Sequence, residues 1–132
     1  MKTWEEVLEK FQTIDIPREF DLIVAIANGG IIPAAILNQR LGKELRLLHI
    51  HLRDNEQRPQ YDSPRLMRPI DFDPTDKKIL LVDDRVKTGS TIIFARELLK
   101  QANIIKTFAV NGNADYALYD EACFRFPWLL PN

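Results

Sequence analysis

Residues 79–94 read Ile-Leu-Leu-Val-Asp-Asp-Arg-Val-Lys-Thr-Gly-Ser-Thr-Ile-Ile-Phe, and the fold follows from their pattern. Ile79 to Val82 is an apolar run that ends in two carboxylates, Asp83 and Asp84. A loop of small and hydroxyl residues comes next, Thr88-Gly89-Ser90-Thr91, and then a helical pattern begins. The order is strand, acidic tip, loop, helix. Backbone N–H groups and hydroxyls that converge on a helix N-terminus bind phosphate. Carboxylates beside such a cradle accept hydrogen bonds from sugar hydroxyls or hold a divalent cation. A ligand that carries both phosphate and ribose fits the pair. Asp83 and Asp84 alone would read as caps of the following loop; Thr-Gly-x-Thr at this spacing favours the ligand.

Upstream, Leu22 to Ala27 is an unbroken apolar run, the mark of a strand buried on both faces. Asn28-Gly29-Gly30 is a tight turn, and Ile31 to Leu41 reads as a helix with Pro33 in its first turn and Gly42 as its stop. Leu45 to Leu52 is a second strand, Ile79 to Asp84 a third and Ile104 to Val110 a fourth, with a helix over Thr91–Ala102 between the last two. Strands that alternate with helices imply a doubly wound, mainly parallel α/β sheet of four to five strands flanked by helices. Ligands of such sheets sit at the carboxyl ends of the strands. Asn28-Gly29-Gly30 and Asp83-Asp84 both follow strands and so face one cleft. Near the start, Thr3 and Glu6 form a capping box for a helix that reaches Phe11 or Gln12, with Trp4, Val7, Leu8 and Phe11 on one face and Trp4 in the core.

Residues 53–76 differ. Four of the eight prolines lie there, with Arg53, Arg58, Arg65 and Arg68. A segment of that length in a small domain serves function or is disordered. His49-x-His51 places two imidazoles on one strand face; two ligands with no third favour packing over a metal. Cys123 reads as a small buried residue.

At 132 residues the chain is a single domain. A net charge of −1 gives no bias toward nucleic acid or membrane. The first residues lack the apolar core of a signal peptide, and no apolar run approaches the roughly 20 residues that span a bilayer. One cysteine makes no internal disulfide, which fits the cytoplasm.

The two loops together resemble those of the type I phosphoribosyltransferases. Val82-Asp83-Asp84-x-x-x-Thr88-Gly89-x-Thr91 is similar to that family's signature for phosphoribosyl pyrophosphate (PRPP). Ala27 to Ala35 is similar to its pyrophosphate loop, and the tail from Asp115-Tyr116 through Phe126-Pro127-Trp128 to the hood that covers the base. The spacing most resembles the small purine-salvage members, with a core over about residues 20–111 and a hood over about 112–132. The resemblance implies transfer of the 5-phosphoribosyl group to a nitrogenous base, a purine favoured, with release of pyrophosphate and Mg²⁺ present. It implies a homodimer or homotetramer.

By the same resemblance Asp83 and Asp84 hold the ribose hydroxyls directly or through Mg²⁺, and Lys87, Thr88, Gly89, Ser90 and Thr91 bind the 5-phosphate. Asn28, Gly29 and Gly30 bind pyrophosphate. Arg65 and Arg68 are offered to it by the 53–69 loop, although each taken alone reads as a solvated arginine. The base side departs from the family. Lys87 stands where purine members commonly carry an aspartate that handles a proton at the base. Asn111 falls near the lysine that reads the purine 6-oxo group. The base-stacking aromatic falls at Cys123, or at Phe124 with a shift of one residue. These departures motivate a second reading, a non-catalytic PRPP or nucleotide sensor, and a third, a phosphoribosyl hydrolase or a transferase with an unusual acceptor. A receiver domain also has acidic strand tips, but its pair lies near the chain start.

Overall fold

Every residue of Leu22–Ala27 is buried, and alternation along this strand (β1) divides the core in two. Ile23 and Ala25 point into one cluster with Val7, Phe11, Ala34, Leu37, Leu80, Val82 and Phe108. Leu22, Val24 and Ile26 point into the other with Leu48, Ile79, Leu81, Ala95 and Leu99. A strand apolar on both sides must be covered on both sides, which is why its sequence shows no polar alternation. Each fully buried Leu or Ile contributes about 1.5–3 kcal/mol.

The computed structural model describes residues 2–51 and 63–130. Within them α1 spans Trp4–Thr13, α2 Ile31–Leu41 and α3 Ser90–Leu98. The remaining strands are β2 (Glu44–His51), β3 (Arg65–Leu66), β4 (Lys78–Val86), β5 (Ile104–Gly112) and β6 (Tyr116–Tyr119). They form one sheet in the order β3-β2-β1-β4-β5-β6, parallel except for β3. The chain moves from β1 to β2 on one side and then to β4 on the other, so the strand order reverses between β1 and β4. That is where a doubly wound sheet opens its crevice.

The doubly wound parallel sheet agrees with the sequence reading, but it holds six strands instead of four or five. β3 is a two-residue antiparallel edge, with Ile50 opposite Leu66 and His51 opposite Arg65. β6 lies parallel to β5 after a return of three residues, far shorter than the dozen or more a parallel crossover usually takes. Gly112 makes the return with φ 134°, and a Cβ there would collide with the Val86 carbonyl. Asp115 then fastens the chain to β5: its carboxylate accepts from the Thr107 N–H at 2.8 Å and the Thr107 hydroxyl at 3.1 Å.

The expected caps are present. Thr3 and Glu6 close the capping box of α1, and Gly42 ends α2 in the left-handed conformation. β4 runs two residues past Asp84, and α3 is shorter than the expected Thr91–Ala102 helix. Trp4 is not in the core. It is 43% exposed and lies against Trp128, with ring centres 5.7 Å apart, while Val7 and Phe11 supply the buried face of α1. Cys123 is exposed, contrary to expectation, since it lies in the hood segment outside the aromatic stack. Arg53, Arg58, Pro59 and most of the expected closing loop lie outside the described residues.

Candidate functional site

The crevice at the strand reversal is a cleft of about 320 Å³. Its walls are the end of β1 with Asn28 and Gly29, the end of β4 from Asp83 to Val86, the loop Lys87–Gly89 and the first turn of α3. Ile50 and His51 close it from the end of β2.

Two glycines make the turn after β1 possible. A Cβ on Gly30 would meet the Val82 carbonyl and lie 2.9 Å from the Ile26 carbonyl, so the chain passes directly against the two central strands. A Cβ on Gly29 would lie 2.7 Å from either carboxylate oxygen of Asp84. The turn and the carboxylate therefore abut, and a side chain at position 29 would occupy the space where Asp84 reaches into the cleft.

The loop after β4 is built for an anion. Gly89 precedes α3 with φ 83°, a left-handed conformation that a Cβ would strain. Gly89, at the N-cap, brings no side chain, and the first turn of α3 borders the cleft with its partial positive charge, the Ser90 N–H resting on Thr88 Oγ1 at 3.3 Å. The Thr88 and Ser90 hydroxyls lie 3.1 Å apart beside it, and Lys87 is exposed at the same rim.

The acidic tip is electrostatically loaded. Asp83 is 9% exposed and its Oδ1 accepts the Asp84 N–H at 2.8 Å. Burial, then the charge of Asp84, pushes the Asp83 carboxyl well above the usual carboxylate range. A cation or a hydroxyl donor at this tip relieves that repulsion.

Residues 6–126 match the model of the phosphoribosyl transferase domain. The chain belongs to the phosphoribosyltransferase family. It is 35% identical to a xanthine-guanine phosphoribosyltransferase of Chromohalobacter salexigens, over 86% of this chain and 71% of the relative. A xanthine-guanine phosphoribosyltransferase of Idiomarina loihiensis is 26% identical over 96% and 84% of the two chains. Among solved structures, a purine phosphoribosyltransferase from Pyrococcus horikoshii superposes with a TM-score of 0.82 and 27% identity, covering 99% of this chain and 94% of that one.

On this phosphoribosyltransferase scaffold the expected PRPP residues converge: Asn28, Gly29, Asp83, Asp84, Lys87, Thr88, Gly89, Ser90 and Thr91 all line the cleft. Gly30 does not line it and packs against the Val82 and Ile26 backbone. Other expectations are redirected. Arg68 lines a separate crevice with Arg46, His49 and Asp71 and does not line the cleft that holds Asp83 and Asp84. Arg65 is exposed on β3, opposite His51 in the ladder. Asn111 does not line the cleft. It is 6% exposed and both ends of its amide are taken by the Glu121 backbone, so it anchors the hood instead of reading a base. Cys123 is exposed and does not line the cleft either. Phe124 does not line the cleft either; it lies in an aromatic chain that runs from Tyr119 through Phe124 and Phe126 to Trp128.

Two further residues belong to the site. His51, whose pairing with His49 favours packing in the sequence, ends β2 and borders the cleft. Arg85 was passed over inside the acidic motif. It lines the cleft and donates to the Phe124 carbonyl at 2.7 Å, 39 residues along the chain.

Proposed function

We propose that this protein transfers the 5-phosphoribosyl group of PRPP to a purine base and releases pyrophosphate. The observation that carries the reading is the junction of three elements in one cleft: the Gly29 turn, the Asp83-Asp84 tip against it, and the uncapped helix behind Thr88-Gly89-Ser90-Thr91. Ribose hydroxyls at the tip and the 5-phosphate on the helix N-terminus leave C1 between them and the pyrophosphate on the 28–30 turn.

In the reaction the bond from C1 to the pyrophosphate oxygen breaks and a bond from a base nitrogen to C1 forms. The base loses its proton to solvent or to a neighbouring group. Positive charge grows on the ribose ring and negative charge on the leaving group. Asp84 stabilises the first, and the backbone of Asn28 and Gly29 meets the second, the Gly30 N–H being held by the Ile26 carbonyl at 2.7 Å. Lys87 neutralises phosphate charge at the rim, and Phe124 is the aromatic we assign to the base side. We assign Arg65 to the pyrophosphate on the strength of its place opposite His51, and we withdraw Arg68 from that role.

Mg²⁺ belongs to the same reading. Among the described residues no group of three or more His, Cys, Asp or Glu side chains is gathered for a metal. Two adjacent carboxylates suit a cation that is completed by substrate phosphates and water, which is how Mg²⁺ is commonly held. When bound it supplies charge neutralisation to the departing pyrophosphate.

Trp4 and Leu8 on α1 and Ile32 on α2 are exposed apolar side chains, and on them we carry a homo-oligomer, checked by light scattering. A cytoplasmic location rests on the single cysteine. No helix among the described residues is long and apolar enough to cross a membrane.

The test is pyrophosphate release from PRPP with Mg²⁺ across hypoxanthine, guanine, xanthine, adenine, uracil and orotate. Release that depends on a purine is the expected result. PRPP binding without release for any base would replace the transferase by a sensor.

A further inference from the structure

The hood is held by its backbone, from two neighbouring strands. Arg85 on β4 and Asn111 on β5 are partners in the ladder. Asn111 donates from Nδ2 to the Glu121 carbonyl at 3.0 Å and accepts the Glu121 N–H at Oδ1 at 2.8 Å. Arg85 donates from Nη2 to the Phe124 carbonyl at 2.7 Å, and its guanidinium lies 5.0 Å from the centre of the Phe126 ring. Segment 121–126 is thus pinned at two points to the strand pair that carries Asp83 and Asp84. Main-chain bonds of this kind fix where a segment lies without depending on which side chains it bears.

Sheet order says which part of the reaction this clamp faces. The acidic tip ends β4. On one side of it lies β1 with the 28–30 turn, and on the other lie β5 and β6, with the hood tied to β5 through Asn111 and Glu121. A group that displaces pyrophosphate at C1 enters opposite the leaving group. With pyrophosphate over β1, the acceptor enters from the β5 side, where the clamped segment begins.

We propose that Arg85 and Asn111 are positioning residues for the acceptor base, holding segment 121–126 on the β5 side of the acidic tip so that hood placement sets base affinity. The proposal rests on the phosphoribosyltransferase reading and adds to it which chain elements select the base. It also explains why an asparagine at position 111 is compatible with base recognition: the amide acts on the hood.

The experiment compares ribose 5-phosphate with a purine nucleoside 5′-monophosphate, ligands that share every group except the base. Binding of each is measured by calorimetry in the full chain, for wild type, Arg85→Met and Arg40→Met. Arg85→Met keeps the stem and removes the donor. Arg40 also donates to backbone carbonyls, of Phe11 at 2.6 Å and Ile14 at 2.9 Å, but on the α1 side, so its loss controls for a merely structural effect. Losing a charged donor is expected to weaken the mononucleotide about tenfold in Arg85→Met. Ribose 5-phosphate, which shares the cleft wall but not the base, should weaken clearly less than the mononucleotide, and Arg85→Lys, which keeps the charge at the cleft wall, should recover part of the loss. Equal weakening of both ligands, or of neither, overturns the proposal. Hydrogen exchange of amides 121–126 gives a second readout that needs no ligand. Exchange should quicken in Arg85→Met and not in Arg40→Met, and unchanged exchange overturns the clamp. Wild type that binds neither ligand would instead sink the parent reading, and that result is visible without any variant.

Discussion

Gly29→Ala and Gly30→Ala add the same methyl group to adjacent residues, and they should fail in different ways. Neither glycine has a positive φ, so alanine meets no backbone penalty at either position and only the surroundings decide. At Gly30 the new Cβ meets the Val82 carbonyl, with the Ile26 carbonyl at 2.9 Å and the Ile26 nitrogen at 3.0 Å. All three are backbone atoms of the two central strands, which cannot yield without disturbing the ladder between Ala25 and Val82. Overpacking costs about 1–3 kcal/mol where side chains can move, and the upper end applies here. For a chain of this size, about 3 kcal/mol lowers Tm by roughly 10 °C. At Gly29 the nearest atoms all belong to the Asp84 carboxylate, at 2.7 to 2.8 Å. That group is the end of a rotatable side chain, so stability should fall by no more than about 1 kcal/mol. The carboxylate is displaced, however, and misplacing a reacting group by about 1 Å costs on the order of a hundredfold in rate. Thermal unfolding by circular dichroism and pyrophosphate release from PRPP separate the two effects. Equal Tm losses would show that the turn does not press on the strands as described. Wild-type turnover in a folded Gly29→Ala protein would remove Asp84 from its role.

Asp84→Asn should lower turnover by orders of magnitude with little change in Tm, because the carboxylate lies at the strand tip; surviving activity would refute the assignment. Lys87→Asp places at the rim a group that accepts a proton at neutral pH, and purine turnover should rise; a fall would show that the ammonium serves the phosphate. Asp83→Asn should alter the pH dependence of stability. The folded carboxyl titrates above its unfolded value of about 3.9, so between that value and the folded one the native state keeps a proton the unfolded chain has lost, and stability falls as pH rises. Asparagine keeps the acceptor for the Asp84 N–H and removes the charge. In metal-free buffer the variant should therefore melt above wild type at neutral and alkaline pH, with the gain vanishing in acid. A gain that grows toward acid would reverse the argument.

The ribose-phosphate half of the site was legible because backbone geometry dictates it. A doubly apolar strand has to lie inside, a glycine pair has to mark a close approach, and a hydroxyl loop before a helix has to present N–H groups. Each of these constraints is local, so each leaves a local trace in the sequence. The base half was not legible, for the opposite reason. Arg85 acts on a carbonyl 39 residues away, and Asn111 acts on a backbone amide and carbonyl 10 residues away. Backbone partners have no residue identity, so no pattern records them. β6 was missed because a parallel strand after three residues breaks the usual length of a crossover; Gly112 and Asp115 permit it, and neither stands out until the Thr107 contact is seen. Trp4 misled because helical periodicity assigned it a face without saying how far the core extends under that face.

This division has a physical consequence for the site. The groups that handle PRPP sit at the ends of β1 and β4, strands whose buried stretches, residues 22–27 and 79–83, fix where those ends lie. Asp83 shows how far that rigidity goes: the strand holds a carboxyl in a position that raises its proton affinity, and the surrounding apolar ladder offsets the cost. Removing that charge should make the protein more stable and less active at once, because the same repulsion that destabilises the tip makes it receptive to a cation or a sugar hydroxyl. The base side is held by hydrogen bonds at the margin of the sheet, where a substitution shifts a segment without opening the core. Changes at Arg85 or Lys87 should therefore move acceptor preference with little loss of Tm, whereas Gly30 tolerates almost nothing.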